Sequence, residues 1–330
     1  MNHMQIQRLQ SLGLIATAML ALALFVFVPP CAAQQYPAQA VTFVVPFAAG
    51  GVADTVARAV AQKLGQRSGQ NVVVENRVGA GGNLGAKFVT GAPPDGYTVL
   101  VSTTAVPINH TLYKNRGYAT EHLRVVGIVA TTPEAVAVHP ANAAKTLSEF
   151  VRNAKDKSVT YGTAGVGTAS YIAAEYFFKV IARITAVHVP FSGGAPAVTA
   201  AMGNHIDLLA VSMPAAVQQI RQGGLRGLGV ASPQRASALP DVPTYAEQGF
   251  ADFYATSWVG FFVPAKTGDA VVSRLNTEIN AILKDPEVEG RLKGTGFDTV
   301  TKSDKEAAEE FRREIESWSR MVRTIGASVD

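Results

Sequence analysis

Two turn segments of the sequence are nearly identical, at residues 45–51 and 189–194. The first reads Val-Pro-Phe-Ala-Ala-Gly-Gly and the second Val-Pro-Phe-Ser-Gly-Gly. Each follows an apolar, β-branched run and precedes an alanine-rich stretch that is typical of a helix. The start of a helix presents unpaired N–H groups at the positive end of the helix dipole, which suits a carboxylate or a phosphate. One such turn in each half of the chain predicts a two-lobed protein that holds an anion between its lobes.

Four glycine-rich segments each join a predicted strand to a predicted helix, at residues 47–54, 76–85, 162–170 and 191–196. In the first, glycine permits close approach of the main chain to a ligand, so we expect contacts from Ala49, Gly50 and Gly51. Asp54 falls in the first turn of the following helix, where capping of that helix is the favoured role over ligand contact. The third segment adds hydroxyl groups to main-chain donors, which suits a carboxylate. Arg77, in the second segment, is open to either an anion-binding or a surface role.

Signatures of catalysis and of nucleotide binding are missing. The sequence has no G-x-S-x-G, no G-x-x-x-x-G-K-[ST] and no H-E-x-x-H, and its six histidines are isolated. The second glycine-rich segment approaches a dinucleotide-binding motif, but Leu84 stands where the third glycine is required. We therefore predict no catalytic residue, no metal site and no cofactor, and favour a binding protein. The alternative, an α/β hydrolase or dehydrogenase, requires a nucleophile with its base or a ribose-binding acid, and neither is found.

The N-terminal residues are typical of a secretory signal peptide. Arg8 precedes an apolar run over residues 12–28, and small residues follow it. We predict cleavage after Ala33, which gives a signal peptide at 1–33 and a mature periplasmic protein. A membrane anchor and a lipoprotein attached through Cys31 are the alternatives. The formal net charge is +4 and the basic residues are scattered singly, which argues against nucleic acid as a partner.

Short β-branched runs alternate with helical stretches from residue 41 onward, which predicts an α/β fold. Two short polar stretches, at 131–133 and 255–257, are the predicted crossings between lobes. They assign residues 34–132 plus 257–330 to lobe 1 and residues 133–256 to lobe 2. The predicted strands are 41–47, 72–75, 98–101, 125–129, 135–138, 159–161, 186–189, 206–211, 228–231 and 259–263. The predicted helices are 53–66, 84–89, 147–156, 170–180, 195–202, 215–222, 270–283 and 305–325.

The last of these helices has the clearest pattern. Apolar residues recur at spacings of four, three, four and three, which forms one apolar stripe along the helix. The stripe consists of Phe311, Ile315, Trp318, Val322 and Ile325. We expect it to pack on its own domain rather than on a partner.

Several motifs in order resemble the periplasmic solute-binding receptors of tripartite tricarboxylate transporters, often called Bug receptors. The resemblance covers essentially the whole mature chain. The residues that carry it are 45–54, 74–77, 79–83, 95–98, 161–170, 189–197, Gly203, Asp207, 240–244, Trp258 and Pro264. It implies a periplasmic-binding-protein (Venus flytrap) fold, with a mixed, mostly parallel sheet in each lobe. It also implies a monomer that captures a small carboxylate and delivers it to integral membrane subunits.

The resemblance implies a ligand site made largely of main-chain groups and hydroxyls. Together with Asp54 from the loop argument, the candidate ligand-binding residues are Phe47, Ala49, Gly50, Gly51, Asp54, Thr103, Thr104, Gly165, Val166, Gly167, Thr168, Ser170, Ser192, Gly193 and Gly194. Four positions depart from the family's usual residues: Ala49 and Val78 replace proline, Tyr171 replaces histidine and Ser192 replaces lysine or another polar residue. These departures leave the ligand open. A periplasmic sensor that reports to a signalling partner is the alternative role.

Overall fold

The computed structural model describes residues 36–251 and 253–330, so the predicted signal peptide lies outside the described residues. The strands are β1 Val41–Val45, β2 Val72–Asn76, β3 Thr98–Thr103, β4 Leu123–Val138, β5 Val159–Thr163, β6 Ala186–Pro190, β7 Leu208–Ser212, β8 Arg226–Val230, β9 Thr256–Pro264 and β10 Asp298–Thr299. The α-helices are α1 Val52–Ser68, α2 Asn83–Thr90, α3 Ala105–Leu112, α4 Leu147–Asn153, α5 Ala169–Tyr176, α6 Gly194–Met202, α7 Val217–Arg221, α8 Asp269–Leu283, α9 Pro286–Gly294 and α10 Asp304–Ile325. A π-helical turn, Phe177–Ala182, extends α5. Within the described residues, none of the helices has the length and apolarity needed to cross a membrane.

One continuous sheet runs through the compact unit of residues 39–330. Its strand order is β2-β1-β3-β9-β4-β7-β5-β6, and β8 and β10 also pair with β4. Strand β1 is almost fully buried, as its run of apolar and β-branched residues indicates. The strands at each end of the order, β2-β1-β3 and β6-β5-β7, are parallel, and helices connect them.

Strand β4 changes partners partway along its length. Its first part pairs with β9, from Leu123 opposite Pro264 to Pro133 opposite Thr256. From Glu134 onward it pairs with β7 and β8 instead, with Glu134 directly opposite Ser212. The change of partners falls where the sequence predicts the two crossings, and β4 and β9 are paired with each other there.

The sheet is mixed, and the α/β fold class is confirmed. The expectation of mostly parallel pairing needs a correction, because the two long strands β4 and β9 run antiparallel to their neighbours. Among the described residues, four strand pairings are parallel and five are antiparallel. Both long strands belong to the centre of the strand order, so antiparallel pairing is concentrated there.

The buried apolar residues form separate clusters on the two sides of the crossings. One cluster, which includes Val44, Leu100 and Phe262, is built only from residues before 133 or after 256. The largest cluster of the central segment, which includes Tyr161 and Phe177, is built only from residues 136–255. One further cluster contains residues from both sides of the crossings, and we call it the α3–α5–α10 cluster. Its buried members are Ile108, Leu112, Ala169, Ile172, Trp318, Val322 and Ile325.

Helix α10 confirms the apolar stripe predicted from its spacing. Phe311, Trp318, Val322 and Ile325 are buried, and the partly buried Ile315 packs against the cluster that contains Phe262. A capping box begins the helix: the Ser303 hydroxyl accepts from the Glu306 N–H, and the Glu306 carboxylate accepts from the Ser303 N–H. The helix therefore packs on its own chain.

Candidate functional site

A cavity of about 50 Å³ lies at the carboxyl ends of parallel strands from both halves of the sheet. This edge is where α/β proteins place their ligands. We call it the main cavity. Its lining comes from Phe47, Ala48, Gly51, Val52, Ala53, Thr103, Ala164, Thr168, Ala169, Ser170, Gly193, Gly194, Val211, Ser212, Ala215 and Ser257.

The two nearly identical turns meet at this cavity. The turn after β1 contributes Ala48 and the turn after β6 contributes Gly193. A Cβ atom placed on Gly193 would lie 3.3 Å from the Ala48 Cβ. The absence of a side chain at Gly193 therefore keeps the space between the turns open.

Three helices begin at the main cavity. Helices α1 and α6 start after Gly51 and Gly193, and neither of these residues provides a side-chain cap. Helix α5 starts after Thr168, whose hydroxyl accepts from the Tyr171 N–H. The first N–H groups of a helix have no partner within the helix, and its N-terminal end carries a partial positive charge. The cavity is consequently a place where negative charge is favourable.

Five hydroxyl groups complete the polar lining, from Thr103, Thr168, Ser170, Ser212 and Ser257. The Thr168 hydroxyl donates to the Gly165 carbonyl at 2.7 Å and lies 3.0 Å from the Ser170 hydroxyl. Because the single Thr168 proton is used in the bond to Gly165, Ser170 is the donor in the bond between the two hydroxyl groups, and the oxygen of Thr168 accepts.

A second groove, of about 270 Å³, adjoins the main cavity and shares Phe47, Ala164 and Thr168 with it. Its other lining residues are Pro46, Val78, Gly79, Ala80, Gly81, Gly82, Tyr113, Gly165, Val166, Pro190, Phe191 and Ser192. Two glycine-rich loops approach closely here: a Cβ atom on Gly81 would lie 2.7 Å from the Val166 carbonyl oxygen. The groove therefore extends the site along the same glycine-rich loops.

The structure brings ten of the fifteen candidate residues to these two spaces. Phe47, Gly51, Thr103, Thr168, Ser170, Gly193 and Gly194 line the main cavity. Gly165, Val166 and Ser192 line the groove. The linings do not include Ala49, Gly50, Asp54, Thr104 or Gly167.

Asp54 has a structural role, but it does not cap α1 as the sequence analysis favours, because α1 has no side-chain cap and the Asp54 carboxylate bonds a residue before the helix. Its buried carboxylate accepts from the Gly50 N–H at 2.9 Å, from two nitrogens of Arg58 and from the Asn76 amide. Burial raises the pKa of Asp54, but these hydrogen bonds and the Arg58 charge outweigh it and lower the pKa overall. Asp54 therefore fixes the turn that presents Gly51, and it also occupies the Gly50 N–H.

Thr104 and Gly167 also act away from the cavities. The fully buried Thr104 hydroxyl lies 3.2 Å from the Ser257 hydroxyl, behind the cavity lining. Gly167 has a φ of +86°, and a Cβ atom there would lie 2.5 Å from Asn109 Oδ1. Gly167 is therefore a position where the main-chain conformation and close packing both require glycine.

Among the described residues, no lysine, arginine or histidine lines the main cavity. Arg77, which the sequence left open, pairs with Glu75 at 2.8 Å, and its guanidinium lies 3.6 Å from the centre of the Phe88 ring. Arg58 is occupied by Asp54. The part of the chain that the structure describes also has no cluster of three or more metal-ligating side chains.

Sequence reasoning missed several cavity residues, of which Ser212 and Ser257 carry hydroxyl groups. Ser212 ends β7, immediately after a run predicted as a strand, and Ser257 lies in a predicted crossing. The sequence feature that could have identified them is their position, at the end of a predicted strand and in a predicted crossing between the lobes. The other missed residues are apolar: Ala48, Val52, Ala53, Ala164, Ala169, Val211 and Ala215.

A two-lobed α/β fold with a ligand cavity at the strand ends defines the class of periplasmic solute-binding proteins, and solved members of that class share this fold. The sequence matches the model of the tripartite tricarboxylate transporter family receptor over residues 56–327. The chain belongs to this receptor family. Its members are binding proteins rather than enzymes, so the prediction of a binding protein is confirmed.

Individual relatives cover nearly the whole chain. Protein BugT of Bordetella pertussis is 30% identical over 306 residues, which are 91% of this chain and 93% of that protein. A Rhodopseudomonas palustris protein solved with adipate is 27% identical, with a TM-score of 0.86 over 89% of this chain and 99% of that one. MatC from the same species, solved with bound malate, is 29% identical, with a TM-score of 0.81 over 87% of this chain and 100% of that one.

Proposed function

We propose that this protein captures a small carboxylate in the main cavity and delivers it to the integral membrane subunits of a tripartite tricarboxylate-type transporter. The observation that carries the proposal is the convergence of three helix N-termini on a cavity whose described lining includes no cationic side chain. Each hydrogen bond to a charged acceptor contributes about 1.5–3 kcal/mol, so a few main-chain and hydroxyl donors are sufficient for micromolar binding.

Adipate and malate, the acids in two similar structures, set the class of ligand that we propose. Both are aliphatic dicarboxylates. The main cavity and the adjoining groove share Phe47, Ala164 and Thr168, and we propose that an elongated ligand extends from one into the other. We propose that one carboxylate occupies the main cavity.

The proposed contact residues are those of the candidate set that line the cavity, together with two additions. Phe47, Gly51 and Thr103 come from the part of the chain before residue 133. Thr168, Ser170, Gly193 and Gly194 come from residues 133–256. Ser212 and Ser257 are the additions, because their hydroxyls line the same space.

We also retain, as a proposal, lobe 1 as residues 34–132 plus 257–330 and lobe 2 as residues 133–256. The change of pairing along β4 at Pro133 and Glu134 supports these boundaries, as do the separate apolar clusters.

Export through a signal peptide that is cleaved after Ala33 remains part of the proposal. N-terminal sequencing of the exported protein tests it, and an acylated Cys31 in the membrane fraction would contradict it.

A thermal-shift screen of the mature protein tests ligand binding. The panel contains mono-, di- and tricarboxylates, amino acids and aromatic acids, with the uncharged diamide of adipic acid as the control. A ligand at 100 times its Kd adds about 2.7 kcal/mol to the free energy of unfolding. We expect stabilisation by at least one carboxylate and none by the diamide. Equal stabilisation by acid and diamide would rule out recognition of the charge.

Uptake of the labelled acid by cells that lack this protein separates transport from sensing. A transport receptor is required for uptake itself, so its loss abolishes accumulation of the acid even when the membrane subunits are expressed from a constitutive promoter. A sensor controls only expression, so under the same promoter uptake would continue. Continued uptake would contradict the proposed transport role.

A further inference from the structure

Glu134 is a buried carboxyl group directly behind the lining of the main cavity. It is 5% exposed and lies on β4, at the point where β4 changes partners. Directly opposite on β7 is Ser212, whose hydroxyl donates to Glu134 Oε1 at 2.8 Å. Ser212 itself lines the main cavity. The Ser212 hydroxyl group therefore lies between the Glu134 carboxyl group and the main cavity.

The surroundings of Glu134 do not stabilise a negative charge. Its second oxygen, Oε2, has no hydrogen-bond partner among the described residues. A space of about 10 Å³ adjoins the side chain, and its lining is mostly alanine and aromatic, from β4, α5 with its π-helical extension, β7, Tyr245 and Phe253. Among the described residues of this lining, Tyr245 is the only titratable one besides Glu134, and none is cationic.

Burial raises the pKa of Glu134 to about 8, although the hydrogen bond from Ser212 acts in the opposite direction. An unpaired carboxylate in an apolar site takes up a proton rather than remain charged. Tyr245 does not compete for this proton, because burial and the Glu134 charge both raise its pKa. At neutral pH the neutral form of Glu134 is therefore the main one.

The state of Glu134 decides what Ser212 can do, because a serine hydroxyl has only one proton. Opposite an ionised Glu134, that proton is used in the hydrogen bond to Oε1. A protonated Glu134 can donate its own O–H to the Ser212 oxygen, and the Ser212 proton is then free to point into the cavity. We propose that Glu134 is a positioning residue, whose protonation makes Ser212 a hydrogen-bond donor to the bound carboxylate. This inference rests on the proposed function, because it takes the ligand to be a carboxylate.

Proton uptake follows from this arrangement. A ligand that accepts from Ser212 binds the form with protonated Glu134 more tightly, so binding is accompanied by uptake of a proton from solvent wherever Glu134 is partly ionised. The affinity therefore decreases as the pH rises above the pKa of Glu134, by at most tenfold per pH unit for one proton.

Calorimetric titration with malate and with adipate between pH 6.5 and 9 tests the coupling, in buffers of different ionisation enthalpy. We expect wild-type affinity to fall by about tenfold across this range, with proton uptake in the upper half. Glu134→Gln keeps a neutral donor to Ser212, so its affinity stays near the wild-type value at pH 6.5 and does not change with pH. Ser212→Ala binds about tenfold more weakly at pH 6.5, also without pH dependence. The control Tyr245→Phe keeps the wild-type profile.

The same pH profile in wild type and Glu134→Gln would overturn the inference. If neither acid binds at any pH, the proposed function fails for these ligands, and infrared difference spectra of the ligand-free protein decide the inference separately. In the difference spectrum of wild type minus Glu134→Gln, we expect an absorption band from a protonated carboxyl group. This band should disappear near pH 8. In the Ser212→Ala background it persists to higher pH, because the carboxylate has lost its donor. A band already absent at pH 6.5, or one that Ser212→Ala leaves unchanged, would overturn the inference.

Discussion

Gly193 lies where the two nearly identical turns approach each other, and the space beside it is part of the main cavity. A Cβ atom at this position would already lie 3.3 Å from Ala48. We expect Gly193→Val to lower carboxylate affinity by at least a hundredfold while the fold is retained, because the branched side chain fills the space between the turns. Calorimetry measures the affinity, and circular dichroism checks the fold.

Gly268 provides the matched control. It also directly precedes a helix, α8, and a Cβ atom there meets nothing within 4 Å. Gly268→Val should bind like the wild type. Undiminished binding by Gly193→Val would show that the ligand lies elsewhere.

The stability of Glu134→Gln should depend on pH differently from that of the wild type. The folded pKa of Glu134 is raised to about 8 from an ordinary value of 4.5, so the native state holds an extra proton between these values. Its contribution to the free energy of unfolding is therefore fully present below pH 4.5 and is lost as the pH rises toward 8. The slope in this window is at most about 1.4 kcal/mol per pH unit.

Urea unfolding of both proteins at several pH values between 5 and 8.5 measures this slope. The difference between wild type and Glu134→Gln isolates Glu134, because other groups contribute equally to both. His188 is one such group: burial lowers its pKa to about 4. Parallel stability curves for the two proteins would show that Glu134 is ionised in the native state.

At the residue scale, the sequence predicts which loops form the site better than it predicts the role of each residue. The glycine spacing brings residues such as Gly51 and Gly193 to the cavity. The role of Asp54 depends on Asn76 and Arg58, whose positions follow from the packing of β2 and α1. Ser212 and Glu134 become neighbours only through the pairing of β7 with β4. Long-range pairing of this kind has no local signal.

At the element scale, the N-terminus of α1 allows a test of ligand recognition by the main chain, because one main-chain N–H can be removed there. Val52 is the first residue of this helix, and Gly51 before it has an extended conformation. Proline is well tolerated at this position but has no N–H. We expect Val52→Pro to keep the stability of the protein and to weaken carboxylate binding about tenfold, because one main-chain donor is lost.

The control for Val52→Pro is Asp304→Pro. Asp304 is the first residue of α10 and also follows an extended residue, Ser303, but α10 does not line the cavity. Calorimetry should give the wild-type affinity for this variant. Equal affinity for Val52→Pro would mean that the first N–H of α1 does not contact the ligand.

Most elements could be predicted from periodicity, and the failures have identifiable causes. Helix α3 was not predicted because Pro107 interrupts its short apolar sequence, although proline is compatible with a first helical turn. Helix α9 was missed although Asp285 and Pro286 are a cap followed by proline at the first helical position. Strand β4 was predicted as two strands. The polar residues between them continue the strand because β9 supplies their partners.

At the scale of the whole molecule, the α3–α5–α10 cluster connects elements of both proposed lobes. Ala169 and Ile172 of α5 come from lobe 2, whereas α3 and α10 belong to lobe 1. Ala169 also lines the main cavity. Any opening of the lobes that admits a ligand to this cavity therefore has to separate apolar side chains of this cluster, and closure has to bury them again.

Trp318 makes this coupling measurable, because it is one of only two tryptophans in the chain. It belongs to the α3–α5–α10 cluster, whereas Trp258 lies on β9 in a cluster confined to lobe 1. The indole N–H groups of both donate to Glu314 Oε2, at 2.8 and 3.0 Å. In the variant Trp258→Phe, Trp318 is the sole tryptophan, and we expect its emission to shift to shorter wavelength when a carboxylate binds, since closure removes water from the cluster. In Trp318→Phe, the remaining Trp258 should not respond. A saturating ligand that leaves Trp318 emission unchanged would show that the cluster stays closed during binding and that the ligand enters without separation of the lobes at this point.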